Sequence, residues 1–247
     1  MFTNNPFAAV GDLLPMQGYI ILMTLAVLVG TVFDMVHKGS GTFFSQRRQR
    51  SQAAALRRLS GSETASLALA TIAEAAVSGE FCKWPRRISH LLMMYGFLLY
   101  LITTVVMVFA YPASAPTPTI LPTLWTVGAL MILLGGLWFF FFLRVNVAHE
   151  GHSPFRLMRA DLFIVSLLAS VTFALIWEVV QTADNLAATK IAFGLYIFFT
   201  TLLFVSVPWS KFAHMFYKPA AAFQKRVEEA NGSSNLPRPA DVNNIVR

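Results

Sequence analysis

The sequence predicts an all-α integral membrane protein, a five-helix transmembrane bundle, from three observations. Hydrophobic residues make up 56% of the 247 residues and charged residues only 13%, with a mean hydropathy of +0.59, a balance that does not suit a soluble domain. The apolar residues fall in five stretches, each near the ~20 residues that an α-helix needs to cross a bilayer core. Basic residues crowd into the connections on one side of those stretches.

The five apolar stretches are the predicted spans. They run over residues 18–36, 91–111, 121–143, 162–180 and 191–207. With their connections they form one predicted transmembrane domain, residues 1–219. The first span has no basic segment before it and is followed by a basic one, so it is predicted to stay in the membrane rather than to be cleaved as a signal peptide.

Charge predicts the orientation of the spans. Eighteen of the nineteen Lys and Arg residues lie on one side of the predicted membrane, and Lys190 alone lies on the other. Cytoplasmic connections hold the excess of Lys and Arg, so we expect the N-terminus outside, the C-terminus in the cytoplasm, and a multi-pass protein of the inner cell membrane. Orientation and lipid contact explain the pI near 9.9, and no nucleic-acid partner is expected.

The largest extramembrane piece is the predicted cytoplasmic loop, residues 38–89. After a basic run, its apolar residues recur at roughly helical spacing. They are Leu56, Leu59, Leu67, Leu69, Ile72 and Ala76. The pattern is typical of an amphipathic helix at the membrane surface or against a partner, and equally of a solvated linker with helical propensity. Residues 220–247 are predicted to be a loosely ordered cytoplasmic tail.

Three of the five histidines are predicted at one depth. His37 ends the first span, His90 opens the second, and His214 follows the fifth, so antiparallel neighbours bring them to one level near the cytoplasmic face. Two imidazoles on facing helices hold a b-type haem in helical bundles. His90 and His214 are therefore the predicted axial ligands of the haem iron, with His37 in reserve. Alternatively, His90 and His214 are interfacial side chains that reach toward water.

Cations stand beside both predicted ligands. Arg86 and Arg87 precede His90 by about one helical turn, and Lys211 precedes His214. Their charge-assisted hydrogen bonds could neutralise the haem propionates, which predicts them as cofactor-binding residues. The alternative is that these cations only set the topology.

Other polar and small residues receive weaker assignments. Gly96 is predicted to let a flat macrocycle approach the backbone. Glu178 is either a group that exchanges protons with a quinone or an interfacial carboxylate near water. His149 and His152 flank Glu150 without the spacing of a zinc-binding motif, which favours a solvated loop.

The chain has one cysteine, Cys82, which excludes an internal disulfide. An iron–sulfur cluster takes about four cysteine ligands. Any such cluster must therefore belong to a partner.

Several motifs resemble one known family. The second span opens with an RRISHxxMxxGF pattern, the fourth starts with ADLFIVSLL, and the fifth is followed by PWSKFAHxFxKP. With five spans, and over about residues 15–219, the chain resembles the nitrate reductase gamma-subunit family, which includes the membrane cytochromes of heterodisulfide reductase. It is most similar in length to the membrane anchors associated with adenylylsulfate reductase, although its loop at residues 38–89 is larger than expected.

The resemblance implies a b-type cytochrome that passes electrons between the quinone pool and a cytoplasmic flavin or iron–sulfur oxidoreductase. Two-haem members have an inner and an outer pair of histidines, and the inner pair matches His90 and His214 here. The outer positions fall on Tyr100 and Tyr196. Tyrosine is an uncommon haem ligand, so the resemblance implies at most one haem b, on the cytoplasmic side.

Two functions of different classes remain open. The first is a membrane anchor and electron-transfer subunit of a respiratory or sulfur-metabolism oxidoreductase complex, with quinone as its redox partner. The second is a haem-free scaffold that docks a soluble enzyme on the membrane, which the missing outer ligands favour. Neither assigns a catalytic residue to this chain. A transporter is disfavoured because the sequence has no inverted repeat.

Reporter fusions test the predicted topology. Fusions after Ser60, Glu150 and Asn235 should give cytoplasmic signals, and fusions after Ala115 and Leu186 periplasmic ones, because the cations favour the cytoplasmic side. A periplasmic signal after Asn235 would contradict this orientation.

Overall fold

The computed structural model describes most of the chain. It covers residues 5–10, 14–79, 81, 83–112, 116–183, 185–207, 210 and 214–234. Within these residues the protein is helical and has no β-strand. The helices are α1 (Met16–His37), α2 (Ser40–Ala53), α3 (Gly61–Ala76), α4 (Trp84–Phe109), α5 (Ile120–Trp138), α6 (Val145–Ala148), α7 (Leu162–Thr182), α8 (Leu186–Val205) and α9 (His214–Asn231).

Five of these helices are long and apolar enough to cross a membrane, as the sequence predicts. They are α1, α4, α5 with the π-helical turn Phe139–Leu143, α7 with the preceding 3-10 turn Arg159–Asp161, and α8. Helix α4 begins at Trp84 rather than at Leu91, because Pro85 is suited to a first helical turn, where its missing N–H has no partner to lose.

The spans pack as two pairs and an edge helix. Helix α4 packs along α5, α7 packs along α8, and the contact between α5 and α7 joins the pairs. Helix α1 lies at the edge, against α8 and α4, and exposes most of its apolar side chains. In a membrane, that apolar surface is suited to contact with acyl chains.

The contact between α4 and α5 is a close approach of two backbones. A Cβ atom on Gly128 would lie 2.8 Å from the backbone nitrogen of Tyr100, and a Cβ on Gly96 would lie 2.9 Å from the carbonyl oxygen of Gly128. Toward the start of α4, the Ser89 hydroxyl donates a hydrogen bond to the carbonyl oxygen of Gly135, at 2.8 Å. Small residues of this kind let membrane helices pack closely enough to gain dispersion contacts and interhelical hydrogen bonds.

The role predicted for Gly96 is therefore wrong. The glycine is needed by α5, whose backbone lies against it, and a flat cofactor cannot occupy the same space. The sequence shows that Gly96 allows a close approach, but it does not show which neighbour makes that approach.

The bundle has two distinct ends. At one, which we call the basic end, α1 and α5 finish and α4 and α7 begin, and α2, α3 and α9 lie outside the spans. The other, the far end, has the connections from α4 to α5 and from α7 to α8. Among the described residues, Lys190 near the start of α8 is the only Lys or Arg at the far end.

Helix α3 lies within the loop of residues 38–89. Its first turn is held by a reciprocal cap, in which the Ser60 hydroxyl accepts a hydrogen bond from the Glu63 backbone nitrogen and the Glu63 carboxylate accepts one from the Ser60 nitrogen. The bonds that the Glu63 carboxylate accepts from the Ser60 backbone nitrogen and from Arg57 lower its pKa to about 2. Residues 61–76 of this stretch are thus helical, whereas Leu56 and Leu59 precede the helix.

Helix α9 continues through residues 220–231, where the sequence predicts a loosely ordered tail. Both oxygens of Glu228 accept hydrogen bonds from the Arg47 guanidinium of α2, at 2.7 Å each, and these bonds lower the pKa of the Glu228 carboxyl. Arg226 pairs with Glu74 of α3. Residues far away in the sequence therefore order this helix, while residues 235–247 of the predicted tail lie outside the described part of the chain.

The end of α9 also binds the connection between α2 and α3. The carbonyl oxygen of Asn231 accepts hydrogen bonds from the backbone nitrogens of Leu56 and Arg57, at 2.9 and 3.3 Å. The Asn231 side chain donates to the Ser51 hydroxyl at 3.1 Å. Helices α2, α3 and α9 therefore form one extramembrane unit.

Two glycine-to-alanine substitutions, one at the contact and one away from it, test the close packing of α4 and α5. Gly128→Ala should destabilise the bundle by about 1–3 kcal/mol, because its Cβ would overlap the backbone of α4. The control is Gly194→Ala in α8, where a Cβ meets nothing within 4 Å, and it should change stability by less than about 1 kcal/mol. Thermal unfolding in detergent, followed by circular dichroism, measures both, and equal stabilities would contradict the packing.

Candidate functional site

His90 lies half-buried in the second turn of α4, at the basic end. Its Nδ1 atom is 2.7 Å from the hydroxyl oxygen of Ser78, which follows α3. The ring of Phe81 lies against the imidazole, with 4.9 Å between the ring centroids. The chain between α3 and α4 thus orients the His90 ring from one side.

Ser78 holds this position in an unusual backbone conformation. It is buried, and its φ of 50° lies in the left-handed region, which glycine usually occupies at the end of a helix. A side chain there costs about 1–2 kcal/mol. The turn is closed by the Gly79 backbone nitrogen, which donates to the Glu74 carbonyl oxygen at 2.9 Å. A serine in place of the less strained glycine supplies the hydroxyl that meets His90, and the sequence analysis missed it.

Arg86 and Arg87 bind the ends of two neighbouring helices. Arg86 Nη2 donates to the carbonyl oxygen of Leu143, where the α5 span ends, at 3.0 Å. Arg87 Nε donates to the carbonyl oxygen of Val77, just after α3, at 2.8 Å. A guanidinium has five N–H donors, so these bonds do not exhaust either side chain. Both arginines stabilise the surroundings of His90.

The first turns of α9 lie against the surroundings of His90 and against α1. The Tyr217 hydroxyl donates to Asp34 of α1 at 3.0 Å, and burial together with this carboxylate raises the pKa of Tyr217. Lys218 Nζ lies 5.4 Å from the centroid of the Phe81 ring. The first turns of α9, which begins at His214, therefore lie at the basic end beside α1 and Phe81, whereas the His214 side chain and Lys211 lie outside the described part of the chain.

His37 ends α1 at the basic end, and its side chain is exposed. Its ring stacks on Phe33, with 5.5 Å between centroids. One turn earlier, the buried Asp34 pairs with Lys38, with 2.5 Å between Oδ1 and Nζ. The contact of Asp34 with Tyr217 ties the end of α1 to α9.

The remaining histidines lie in the loop between α6 and α7. His149 is exposed, and His152 Nε2 lies 3.0 Å from Arg156 Nη1 and 3.7 Å from a Glu150 oxygen. The same loop is held by Arg144, whose buried guanidinium lies 2.7 Å from an Asp161 oxygen. This ion pair, also missed from the sequence, positions the loop at the basic end.

Aromatic side chains fill the outer level of the bundle. Tyr100 stacks on Trp125, with 5.0 Å between centroids, and Tyr196 stacks on Trp177, at 5.5 Å. The two tryptophans meet edge to face at 6.3 Å, and Phe7 covers both. Both tryptophans are fully buried. Tyr100 and Tyr196, which the sequence resemblance places at the outer positions, therefore pack as part of a continuous aromatic core.

Glu178 lies beside this core. It is buried in α7, and both of its oxygens lie near the Thr126 hydroxyl of α5, at 2.8 and 3.0 Å. The carboxyl group thus faces the neighbouring helix rather than water. Thr126 also lies 3.0 Å from the carbonyl oxygen of Pro122, so three oxygens surround one hydroxyl group.

No protein-family model matches the chain, and the comparisons with curated proteins and with solved structures found no match either.

Substitutions in the outer core test its role as packing. Trp125→Ala should destabilise the protein by about 3–5 kcal/mol, because a fully buried side chain is removed. Tyr100→Phe should change stability by less than about 1 kcal/mol, because among the described residues the buried hydroxyl has only the Tyr196 hydroxyl nearby and makes no hydrogen bond of ordinary geometry. Thermal unfolding measures both, with the exposed Leu134→Ala on the same helix as Trp125 as the control.

Loss of a bound cofactor in the Tyr100→Phe variant would contradict this assignment. In that case the tyrosine hydroxyl would serve as a ligand, and the outer level would be a site rather than a packed core.

Proposed function

We propose that the chain is the membrane anchor and electron-transfer subunit of a respiratory or sulfur-metabolism oxidoreductase complex. It passes electrons between a cytoplasmic flavin or iron–sulfur partner and the quinone pool, through at most one b-type haem. The observation that carries the proposal is the position of His90, His214 and His37 on helix ends that meet at the basic end.

The basic end is the cytoplasmic end in this proposal. Its cations support that orientation, since cytoplasmic connections hold the excess of Lys and Arg. Trp84, Phe142 and Phe155 are exposed at the same end, where aromatic residues are typical of a membrane–water interface. The N-terminus is then outside the inner membrane.

The surroundings of His90 fit a haem ligand. Histidines that bind a metal through one ring nitrogen usually have the other held by a hydrogen bond, which orients the ring. The Ser78 hydroxyl holds Nδ1 in this way. His90 and His214 would hold the iron, and Arg86, Arg87 and Lys211 are the proposed partners of the propionates. When bound, the haem supplies a one-electron carrier.

The outer level does not fit a second haem. The side chains of Tyr100, Trp125, Trp177 and Tyr196 are in contact with one another and buried. A porphyrin there would need most of this core to be displaced, and neutral phenols bind iron poorly compared with imidazoles. The proposal is therefore limited to one haem.

The extramembrane unit supports a soluble partner. It exposes Arg48, Arg50 and Arg58 on and beside α2, while the neighbouring Arg47 is occupied by Glu228. Exposed cations of this kind attract a partner with an acidic surface and speed its association. The partner would meet this surface on the same side of the membrane as His90.

The second candidate is a haem-free scaffold. It is favoured by the filled outer core together with the ordered unit of α2, α3 and α9, because neither feature needs a cofactor. A scaffold would use the same basic surface to hold a soluble enzyme on the membrane. Both candidates therefore bind a soluble partner, and only the electron-transfer subunit binds a haem.

Histidine variants separate the two candidates. His90→Ala and His214→Ala should each abolish bound haem b, because one imidazole does not provide both axial ligands. The reduced-minus-oxidised spectrum of the purified chain, with a pyridine haemochrome assay, should show at most one haem per chain before substitution. His149→Ala and His152→Ala are the controls and should retain it.

Haem retained in full by either of the first two variants would exclude that ligand pair. Two haems per chain would require ligands elsewhere. A colourless chain that is correctly inserted in the membrane would exclude the electron-transfer subunit and favour the haem-free scaffold.

A further inference from the structure

Helix α3 has an apolar face that no described residue covers. Leu69 and Ile72 are 68% and 65% exposed, and Val77, just after the helix, is 50% exposed. The charged residues of α3 are Glu63 and Glu74 alone, and they pair with Arg57 and Arg226. A helix surface in water normally has charged side chains. This surface has alanines between its large apolar residues instead.

The C-terminal end of α3 lies beside the first turns of the α4 span. The Tyr95 hydroxyl donates to the Ala76 carbonyl oxygen at 2.9 Å, and Arg87 donates to the Val77 carbonyl oxygen at 2.8 Å. Tyr95 follows Arg87 by about two helical turns, or roughly 12 Å along the axis. The end of α3 therefore lies beside the first turns of α4, against the side of that helix that faces away from the bundle, and not beyond its first residue.

Exposed aromatic residues mark the level of the interface. Trp84 is the first residue of α4, Phe142 lies in the last turn of the α5 span, and both side chains are exposed. The bond from Arg86 to the Leu143 carbonyl oxygen places these two helix ends at one height. Aromatic residues concentrate at the membrane–water interface. The contacts of α3 with α4 therefore lie at the level of Trp84 and Phe142 or deeper in the membrane.

We propose that the apolar face of α3 lies against the lipid bilayer, at the boundary between headgroups and acyl chains. The face is continuous with the lipid-exposed surface of α4, because Tyr95 belongs to that surface and binds the end of α3. Interfacial helices insert their apolar side by about 5–10 Å. The exposed cations Arg58 and Lys83 lie on either side of α3 in the sequence, where they can meet headgroup phosphates.

A helix α3 held against lipid would also position the residues around His90. The helix leads directly into Ser78, whose hydroxyl meets His90, and it is tied to α9 by the Glu74–Arg226 pair. The inference does not depend on a bound haem, and it holds for the electron-transfer subunit and for the scaffold alike.

Fluorescence quenching in vesicles tests the inference. In the full chain with Cys82→Ser, single cysteines replace Ile72 or Leu69, or Gln52 on the exposed side of α2 as the control. Each is labelled with an environment-sensitive fluorophore and reconstituted in phosphatidylcholine and phosphatidylglycerol vesicles. We expect a blue-shifted emission at positions 72 and 69 that is quenched by lipids with a shallow nitroxide and little by aqueous iodide. The label at position 52 should show the reverse.

Two other outcomes would overturn the inference. Iodide quenching at position 72 equal to that at position 52 would place the face in water, where a soluble protein could cover it. Protection from both quenchers, lost when the protein is diluted in lipid, would show that a second copy of the chain covers it. Unchanged helix content by circular dichroism confirms that the labelled variants are folded.

Discussion

The close approach of α4 and α5 is the constraint on which the rest of the bundle depends. In a bilayer, apolar side chains gain little by meeting one another rather than lipid, so association relies on tight packing and interhelical hydrogen bonds. Gly96 and Gly128 remove the Cβ atoms that would separate the backbones, and Ser89 adds a hydrogen bond to Gly135. The same contact determines the register of α4 against α5, and with it the overlap of Tyr100 with Trp125.

Polar groups that the membrane would disfavour are paired where helices meet. Arg144 and Asp161 form a buried ion pair between the ends of α5 and α7, and Glu178 faces Thr126 between the same two helices. At the end of α1, Asp34 contacts Lys38 and Tyr217. The contact between Asp34 and Lys38 lies within one helix end, and the other pairs join two different helices. The polar residues thus specify which neighbours meet, a task for which apolar contacts in lipid are poorly suited.

Features that depend on neighbouring residues in the sequence could be predicted, whereas features that depend on residues far apart in the chain could not. Membrane spans follow from the length and apolarity of single segments, so all five were visible in the sequence. The glycine at position 96 signalled a close neighbour but not its identity, and α5 rather than a cofactor proved to be that neighbour. The order of residues 220–231 comes from Arg47 and Glu74, far away in the chain, so composition alone suggested a loose tail. Ser78 could have been noticed because a Ser-Gly pair ends a helical pattern, but its contact with His90 requires the fold.

The position of α9 in the chain has a consequence for biosynthesis. Helices α2 and α3 emerge from the ribosome soon after the first span, yet residues that hold them together, among them Arg226, Glu228 and Asn231, are translated after the fifth. Until then, Arg47 and Glu74 have no α9 to bind. Domains of a nascent chain generally fold as their last element becomes available. The extramembrane unit therefore closes only after all five spans have been synthesised, and a soluble partner that recognises the closed unit would bind only chains whose synthesis has reached the end of α9.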